Sequence, residues 1–107
     1  MQPMSVAELK AWLTDASRPA PVVLDVRERW EVARAALPDA MLIPMNEIPA
    51  RAGELDPDRP LVCLCHHGAR SLSVALFLEK QGFEQVYNLT GGIDAWSALI
   101  DPTVPRY

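Results

Sequence analysis

Leu61-Val62-Cys63-Leu64-Cys65-His66-His67-Gly68-Ala69-Arg70-Ser71 runs from an apolar stretch straight into a thiol, two imidazoles, a glycine and a guanidinium. Leu61 to Cys65 is apolar at every position, so it reads as a strand with apolar neighbours on both faces, the pattern of a buried parallel sheet. Ser71 to Gln81 reads as the helix that follows, with Gly82 as its C′ residue. The apolar set Leu72, Val74, Ala75, Leu76, Phe77 and Leu78 runs most of the way round, which predicts a centrally buried helix. The residues between must turn tightly, and Gly68 takes φ > 0 without steric cost. Such a loop aims backbone N–H groups inward and forms an anion nest at the positive end of a helix. A cysteine in that field and near an arginine titrates at roughly 3.5–7.5 rather than about 8.5. Cys65 is therefore expected to be thiolate-rich at neutral pH, as a nucleophile must be. Arg70 opposes the helix dipole at a cost of about 0.3–1 kcal/mol, so the thiolate or an anionic substrate is expected as its counter-charge. Cys63 lies mid-strand with no loop or cation beside it and is expected to be a core residue.

The same grammar extends outward. Pro21 to Val26 is a second strand apolar on both faces, Met41 to Ile43 a short one before Pro44, and Val86 to Leu89 the last. Ser5-Val6-Ala7-Glu8 is a capping box opening a helix whose apolar stripe is Val6, Leu9, Trp12 and Leu13. Glu28 to Ala36 reads as a short polar-faced helix stopped before Pro38. Asn46 is a candidate N-cap for a helix running to about Leu55, with Pro49 in its first turn. Gly91-Gly92 opens a helix through Asp94 to Ile100, and the tail Asp101 to Tyr107, with Pro102 and Pro105, is expected to pack on the sheet. Strands alternating with helices predict an α/β fold: a parallel β-sheet of four to five strands flanked by helices on both faces. In such folds ligands bind beyond the C-terminal strand ends, where Cys65, Asp25 to Glu28, Pro44 and Thr90 to Gly92 fall.

The chain of 107 residues is expected to form a single domain, 1–107, with a core of its own. A net charge of −4 with scattered Lys and Arg, and a pI near 5.0, argue against nucleic-acid or anionic-membrane partners. Apolar runs reach only about six residues, against the ~20 of a membrane span. The start MQPMSVAE has no basic segment followed by an apolar one, which predicts a cytoplasmic protein. Cys63 and Cys65 would lie roughly 6.5 Å apart with parallel side chains, so free thiols are expected. Cys63, Cys65, His66 and His67 are metal-ligand types, but structural zinc pairs are spaced by about two to four residues and come from two segments. No metal is expected, and His66 and His67 are expected to point outward and shape the mouth of the site.

With these residues in view, Cys65-His66-His67-Gly68-Ala69-Arg70-Ser71 resembles the active-site loop of the rhodanese-like sulfurtransferases, C-x-x-G-x-R-S after a strand. Leu24-Asp25-Val26-Arg27-Glu28 is similar to the family's L-D-V-R-E, Gly82 to Leu89 to its last strand, and Gly91-Gly92-Ile93-Asp94-Ala95-Trp96 to its G-G-x-x-A-W helix start. The resemblance implies a rhodanese-like fold and a thiosulfate sulfurtransferase-like enzyme acting through a catalytic cysteine. Cys65 would take a sulfane sulfur from a donor such as thiosulfate, hold it as a persulfide, and pass it to a thiol or cyanide acceptor. His66, His67, Gly68, Ala69, Arg70 and Ser71 would bind the substrate, with no cofactor required. Related phosphatases and arsenate reductases carry five residues between Cys and Arg; the four here suit a single sulfur atom rather than a tetrahedral oxyanion.

Asp25 and Arg27 are expected to form a buried ion pair at the floor of the site. The hydroxyl of Ser71 is expected to cap its own helix and to touch the Cys65 sulfur. Trp96 is expected in the core; for Trp30, a pocket wall, an exposed edge and the core all remain open. Two departures stand out. Ala35-Ala36-Leu37 replaces the family's usual Gly-His-Ile, losing a polar group that would hydrogen-bond behind the site. His66 and His67, mostly neutral at pH 7, replace the cationic loop residues of many thiosulfate users, which predicts weak use of that donor. The alternative is a sulfur-relay module that carries a persulfide with little turnover and serves a partner protein as sulfur acceptor.

Overall fold

Residues 1–107 are described by a computed structural model. Three short runs of apolar residues build the centre of its sheet: β2 (Val22–Asp25), β4 (Leu61–Leu64) and β5 (Val86–Leu89). With β1 (Gln2–Met4) and β3 (Met41–Leu42) they form five strands in the order β1-β5-β4-β2-β3, all parallel. Alternation along β4 splits the core in two. Val62 and Leu64 join Val6, Leu9, Trp12, Ile93 and Trp96 on one face, under α1 (Val6–Leu13) and α5 (Gly92–Leu99). Leu61, Cys63 and Cys65 join Ile48, Val74, Ala75 and Leu78 on the other, under α3 (Ile48–Arg51) and α4 (Ala69–Lys80). This is the expected parallel sheet with helices on both faces, and Trp96 is in the core. The Ser5–Glu8 capping box opens α1. No helix is long and apolar enough to cross a membrane.

Four local expectations are corrected. β1 was not foreseen: it is three residues long and carries Pro3, which an edge strand tolerates because its missing N–H breaks no inner ladder. The 46–55 region is not one helix capped by Asn46. A 3₁₀ turn over Met45–Glu47 contains Asn46 and leads into α3, and a second 3₁₀ turn follows over Ala52–Glu54; Pro49 and Gly53 are poor members of a continuous ladder. The fourth helix starts at Ala69, with Gly68 as its N-cap, before Ser71. Nor is α4 buried all round: Ser71, Val74, Ala75 and Leu78 form the covered face, while Leu72 and Leu76 are 38% and 43% exposed. The remaining helix, α2 (Arg29–Arg34), follows β2 on the side where the strands end.

Candidate active site

Cys65 directly follows β4 and is 1% exposed. Its carbonyl accepts from the Ile93 amide at 2.9 Å, and the His66 carbonyl from the Asp94 amide at 3.1 Å. Two orphan donors at the start of α5 are thereby satisfied. In a trans peptide the N–H points opposite to the C=O, so the His66 and His67 amides turn away from α5. The close approach needs a glycine at 92: its φ is +58°, and a Cβ there would collide with both carbonyls. Gly68, at φ +115°, closes the loop, and its amide donates to Cys65 Sγ at 3.1 Å. The amides of Ala69, Arg70 and Ser71 open α4 and find no acceptor within the protein. One donor thus meets the sulfur and three unengaged ones follow it in the first turn of a helix, where the dipole favours negative charge.

Ser71 is within 3.3 Å of Cys65 Sγ, as expected, but it does not cap its helix. Its Oγ is 2.5 Å from Asn88 Oδ1 and 3.3 Å from the Gly68 carbonyl. A hydroxyl has one proton to give, and the short contact makes Asn88 its main acceptor. The Asn88 amide nitrogen donates to the Gly68 carbonyl at 3.1 Å, so one polar residue of β5 braces both Gly68 and Ser71.

The counter-charge of Arg70 is not the sulfur but Glu31, on α2. Nη1 donates to Oε1 at 2.6 Å and Nη2 to Oε2 at 2.9 Å. These bonds hold the 4%-exposed Glu31 carboxyl down to about 2, against the opposing pull of burial and with help from Tyr107. Hydrogen bonding to Glu31 likewise raises the Arg70 guanidinium above its ordinary value, and the nearby Cys65 sulfur adds to that. A side chain long enough to leave its helix dipole can find a carboxylate elsewhere, which explains the different partner.

Asp25 and Arg27 form the expected buried ion pair, 1% and 0% exposed, with Nη2 2.6 Å from Oδ2 and Nε 2.9 Å from Oδ1. Burial alone would lower the Arg27 guanidinium, but the hydrogen bonds to Asp25 and Tyr107 outweigh it. The tail packs through Val104, as expected, and then reaches the site. Tyr107 stacks its ring on His66, 4.0 Å and 9° apart. His66 therefore does not simply point outward: its ring is half-buried, with Nε2 covered and unpartnered. That burial lowers its pKa and favours the neutral imidazole. His67 is exposed, as expected, and Trp30 is an exposed edge residue at 59%.

Cys63 is a core residue, fully covered, and burial pushes its thiol up to about 12. Both cysteines are free. Ligand atoms of His66, His67 and Asp94 lie within 4.8 Å of one another, but Asp94 is already engaged by Arg106 at 3.0 and 3.1 Å. The sequence reading passed over Glu31, Asn88 and Tyr107. A polar residue inside the apolar Val86–Leu89 strand was a signal for Asn88, and the i,i+4 spacing from Arg27 a weaker one for Glu31. Tyr107 had none.

The family model described as rhodanese-like domain matches residues 5–99. Rhodanese-like/PpiC domain-containing protein 12, chloroplastic, of Arabidopsis thaliana is 40% identical over 89 residues, 79% of this chain, although the chain spans only 30% of that relative. A sulfurtransferase of Allochromatium vinosum is 42% identical over 76 residues, 71% of each chain. Thiosulfate sulfurtransferase GlpE of Coxiella burnetii is 32% identical over 93 residues, 87% of this chain and 86% of its own. The crystal structure of a rhodanese-like domain protein from Staphylococcus aureus superposes with a TM-score of 0.83 at 33% identity, covering 90% of this chain and 91% of that one. A parallel sheet, a Cys-to-Arg loop opening a helix, and a match that runs through nearly the whole length place the chain in the rhodanese-like domain family.

Proposed function

We propose that residues 1–107 act as one cytoplasmic sulfurtransferase domain whose nucleophile is Cys65. The observation that carries this reading is the Gly68 amide on the Cys65 sulfur, followed at the start of α4 by the unengaged amides of Ala69, Arg70 and Ser71. The naming of relatives as sulfurtransferases, one of them for thiosulfate, supports it. In the first step the Cys65 thiolate attacks the outer sulfur of thiosulfate. A Cys65 S–S bond forms, the donor's S–S bond breaks, and its electron pair leaves with sulfite. The outer persulfide sulfur carries the negative charge, and the amides of the loop and of the α4 first turn stabilise it there. In the second step a thiolate or cyanide attacks that sulfur, and the Cys65 thiolate is restored. Covalent catalysis of this kind divides one transfer into two easier ones. Arg70 draws the anionic donor to the mouth, and Ser71, its proton given to Asn88, braces the loop beside the sulfur. Asp25 and Arg27 fix the floor.

The test is intact mass after brief exposure to thiosulfate. Wild type is expected to gain one sulfur atom, removable by cyanide or dithiothreitol, and Cys65→Ser to gain none. A gain on Cys65→Ser, or no gain on wild type with either thiosulfate or a small-thiol persulfide, would overturn the proposal. A persulfide loaded only from the small thiol would replace thiosulfate as the donor.

A further inference from the structure

The two ion pairs behind the loop are separate units except for one atom. The Arg27 guanidinium makes no hydrogen bond to the Glu31 carboxylate; its only approach to Glu31 is to the backbone carbonyl, at 3.5 Å. The Tyr107 hydroxyl joins them. It lies 3.0 Å from Arg27 Nη1 and 2.7 Å from Glu31 Oε2. A guanidinium only donates and a carboxylate only accepts, so the hydroxyl accepts from Arg27 and donates to Glu31. The path then runs without a break from Asp25 through Arg27, Tyr107 and Glu31 to Arg70. Apart from Arg70 and Tyr107, Glu31 receives only one other hydrogen bond on its carboxylate, from the Glu28 amide at 3.0 Å.

The local sequence offers no substitute. Ala35-Ala36-Leu37 has no polar side chain, and Arg27 Nη2 makes do with the Ala35 carbonyl at 2.7 Å. Tyr107, 76 residues from Glu31 and beyond the 5–99 stretch of the family match, brings a hydroxyl to the place that this segment leaves without one. The same ring stacks on His66, the residue after Cys65. It therefore bears on the loop from two sides, on Arg70 through a hydrogen-bonded chain and on His66 through direct contact.

We infer that Tyr107 is a positioning residue of the Cys65 site, whose hydroxyl anchors Glu31 and so aims the Arg70 guanidinium at incoming anionic sulfur donors. The inference rests on the reading of Cys65 as the nucleophile. Its experiment measures alkylation of Cys65 by iodoacetate, an anion, and by iodoacetamide, its neutral counterpart, with the modified residue identified by peptide mass. The ratio of the two rates reports how well the site attracts an anion, and it needs no sulfur transfer. Tyr107→Phe is expected to lower that ratio by about three- to tenfold, the net worth of one ordinary hydrogen bond. It should raise the KM for thiosulfate by a similar factor and leave kcat within about twofold of wild type. In a Glu31→Gln background, Tyr107→Phe is expected to cost nothing further, since the two residues act in one chain.

A folded Tyr107→Phe with an unchanged ratio would overturn the inference, as would losses that simply add in the double variant. Tyr107 lies at the edge of its core cluster, and a melting curve checks that the variant is folded. If Tyr107→Phe does not fold, Tyr107→Leu is measured instead, with the same fall in ratio expected and an unchanged ratio equally fatal. Failure of wild type to load sulfur while the ratio still falls would sink the sulfurtransferase reading and leave the role of Tyr107 in place.

Discussion

Cys63 and Cys65 sit two residues apart, face the same core cluster and are equally hidden, at 0% and 1% exposure. Their surroundings share almost nothing else. Cys63 is enclosed by the sheet and by apolar side chains, and burial pushes its thiol up to about 12. Cys65 stands where the strand stops, with the Gly68 amide on its sulfur and the Ser71 hydroxyl in reach. Burial is therefore not what separates an inert cysteine from a candidate nucleophile in this fold. What separates them is whether the burying atoms can donate to a negative sulfur. The strand interior has spent its amides on the neighbouring strands, whereas the strand end borrows unspent ones from the start of a helix.

The sharpest way to break this contrast is to exchange the sulfurs for oxygen in turn. Cys65→Ser is expected to lower sulfur transfer by at least about three orders of magnitude, as loss of a covalent nucleophile does. Steady-state rates with a saturating donor measure it. A next-largest effect is expected from Gly92→Ala, which cannot keep the carbonyls of Cys65 and His66 where they are. A displacement of about 1 Å at a reacting group costs about a hundredfold in rate, and the same assay should show this while the circular dichroism of the sheet persists. Ser71→Ala should cost up to about tenfold, the scale of one lost hydrogen bond, here the one that ties the loop to Asn88, seen in the persulfide-loading rate. Cys63→Ser reverses the pattern: transfer should stay within about twofold, but urea unfolding should show about 1–3 kcal/mol lost, because a hydroxyl in that apolar setting lacks partners. Comparable activity losses at 63 and 65 would erase the distinction.

The smallest effect concerns acid. The Glu31 carboxyl lies at about 2 in the folded protein against an ordinary 4.5, so its contribution to stability is complete above about pH 4.5. That contribution is lost as the pH falls through about 2, where the folded group also takes up its proton. Glu31→Gln should flatten this part of the stability profile, measured by thermal melts from pH 5 downward. A profile with the same slope in wild type and variant would show that the rim of the site contributes nothing to acid stability.

Sequence reading reached the sheet where the strands are central and the loop where its residues are contiguous. β4 announces itself because a strand covered on both faces has no polar positions to confuse the pattern, and β2 and β5 carry only one polar residue each, Asp25 and Asn88. β1 escapes the same logic: an edge strand of three residues with a proline has neither the length nor the propensity to stand out. In the site, Cys65, Gly68 and Ser71 were legible as one turn, and Asp25 with Arg27 as one strand end. The partner of Arg70 was not, since local electrostatics point to the nearest anion and the side chain reaches across to another helix. Tyr107 depends on where the tail lands after the whole sheet has formed, which no local pattern encodes.

The docking of Cys65 and His66 onto the start of α5 has a consequence for the order in which the protein can be made. The turn that carries Cys65 lies between β4 and α4, yet its backbone is pinned by the amides of Ile93 and Asp94, from the next strand–helix unit. A nascent chain that has emerged only as far as α4 carries every residue of the Cys65-to-Ser71 loop and lacks the template that shapes it. Reactivity should therefore switch on late, when the segment around Gly92 has been released and docked. Pulsed alkylation of stalled chains ending before and after α5 would time that switch, with the shorter chains showing an ordinary, unselective thiol.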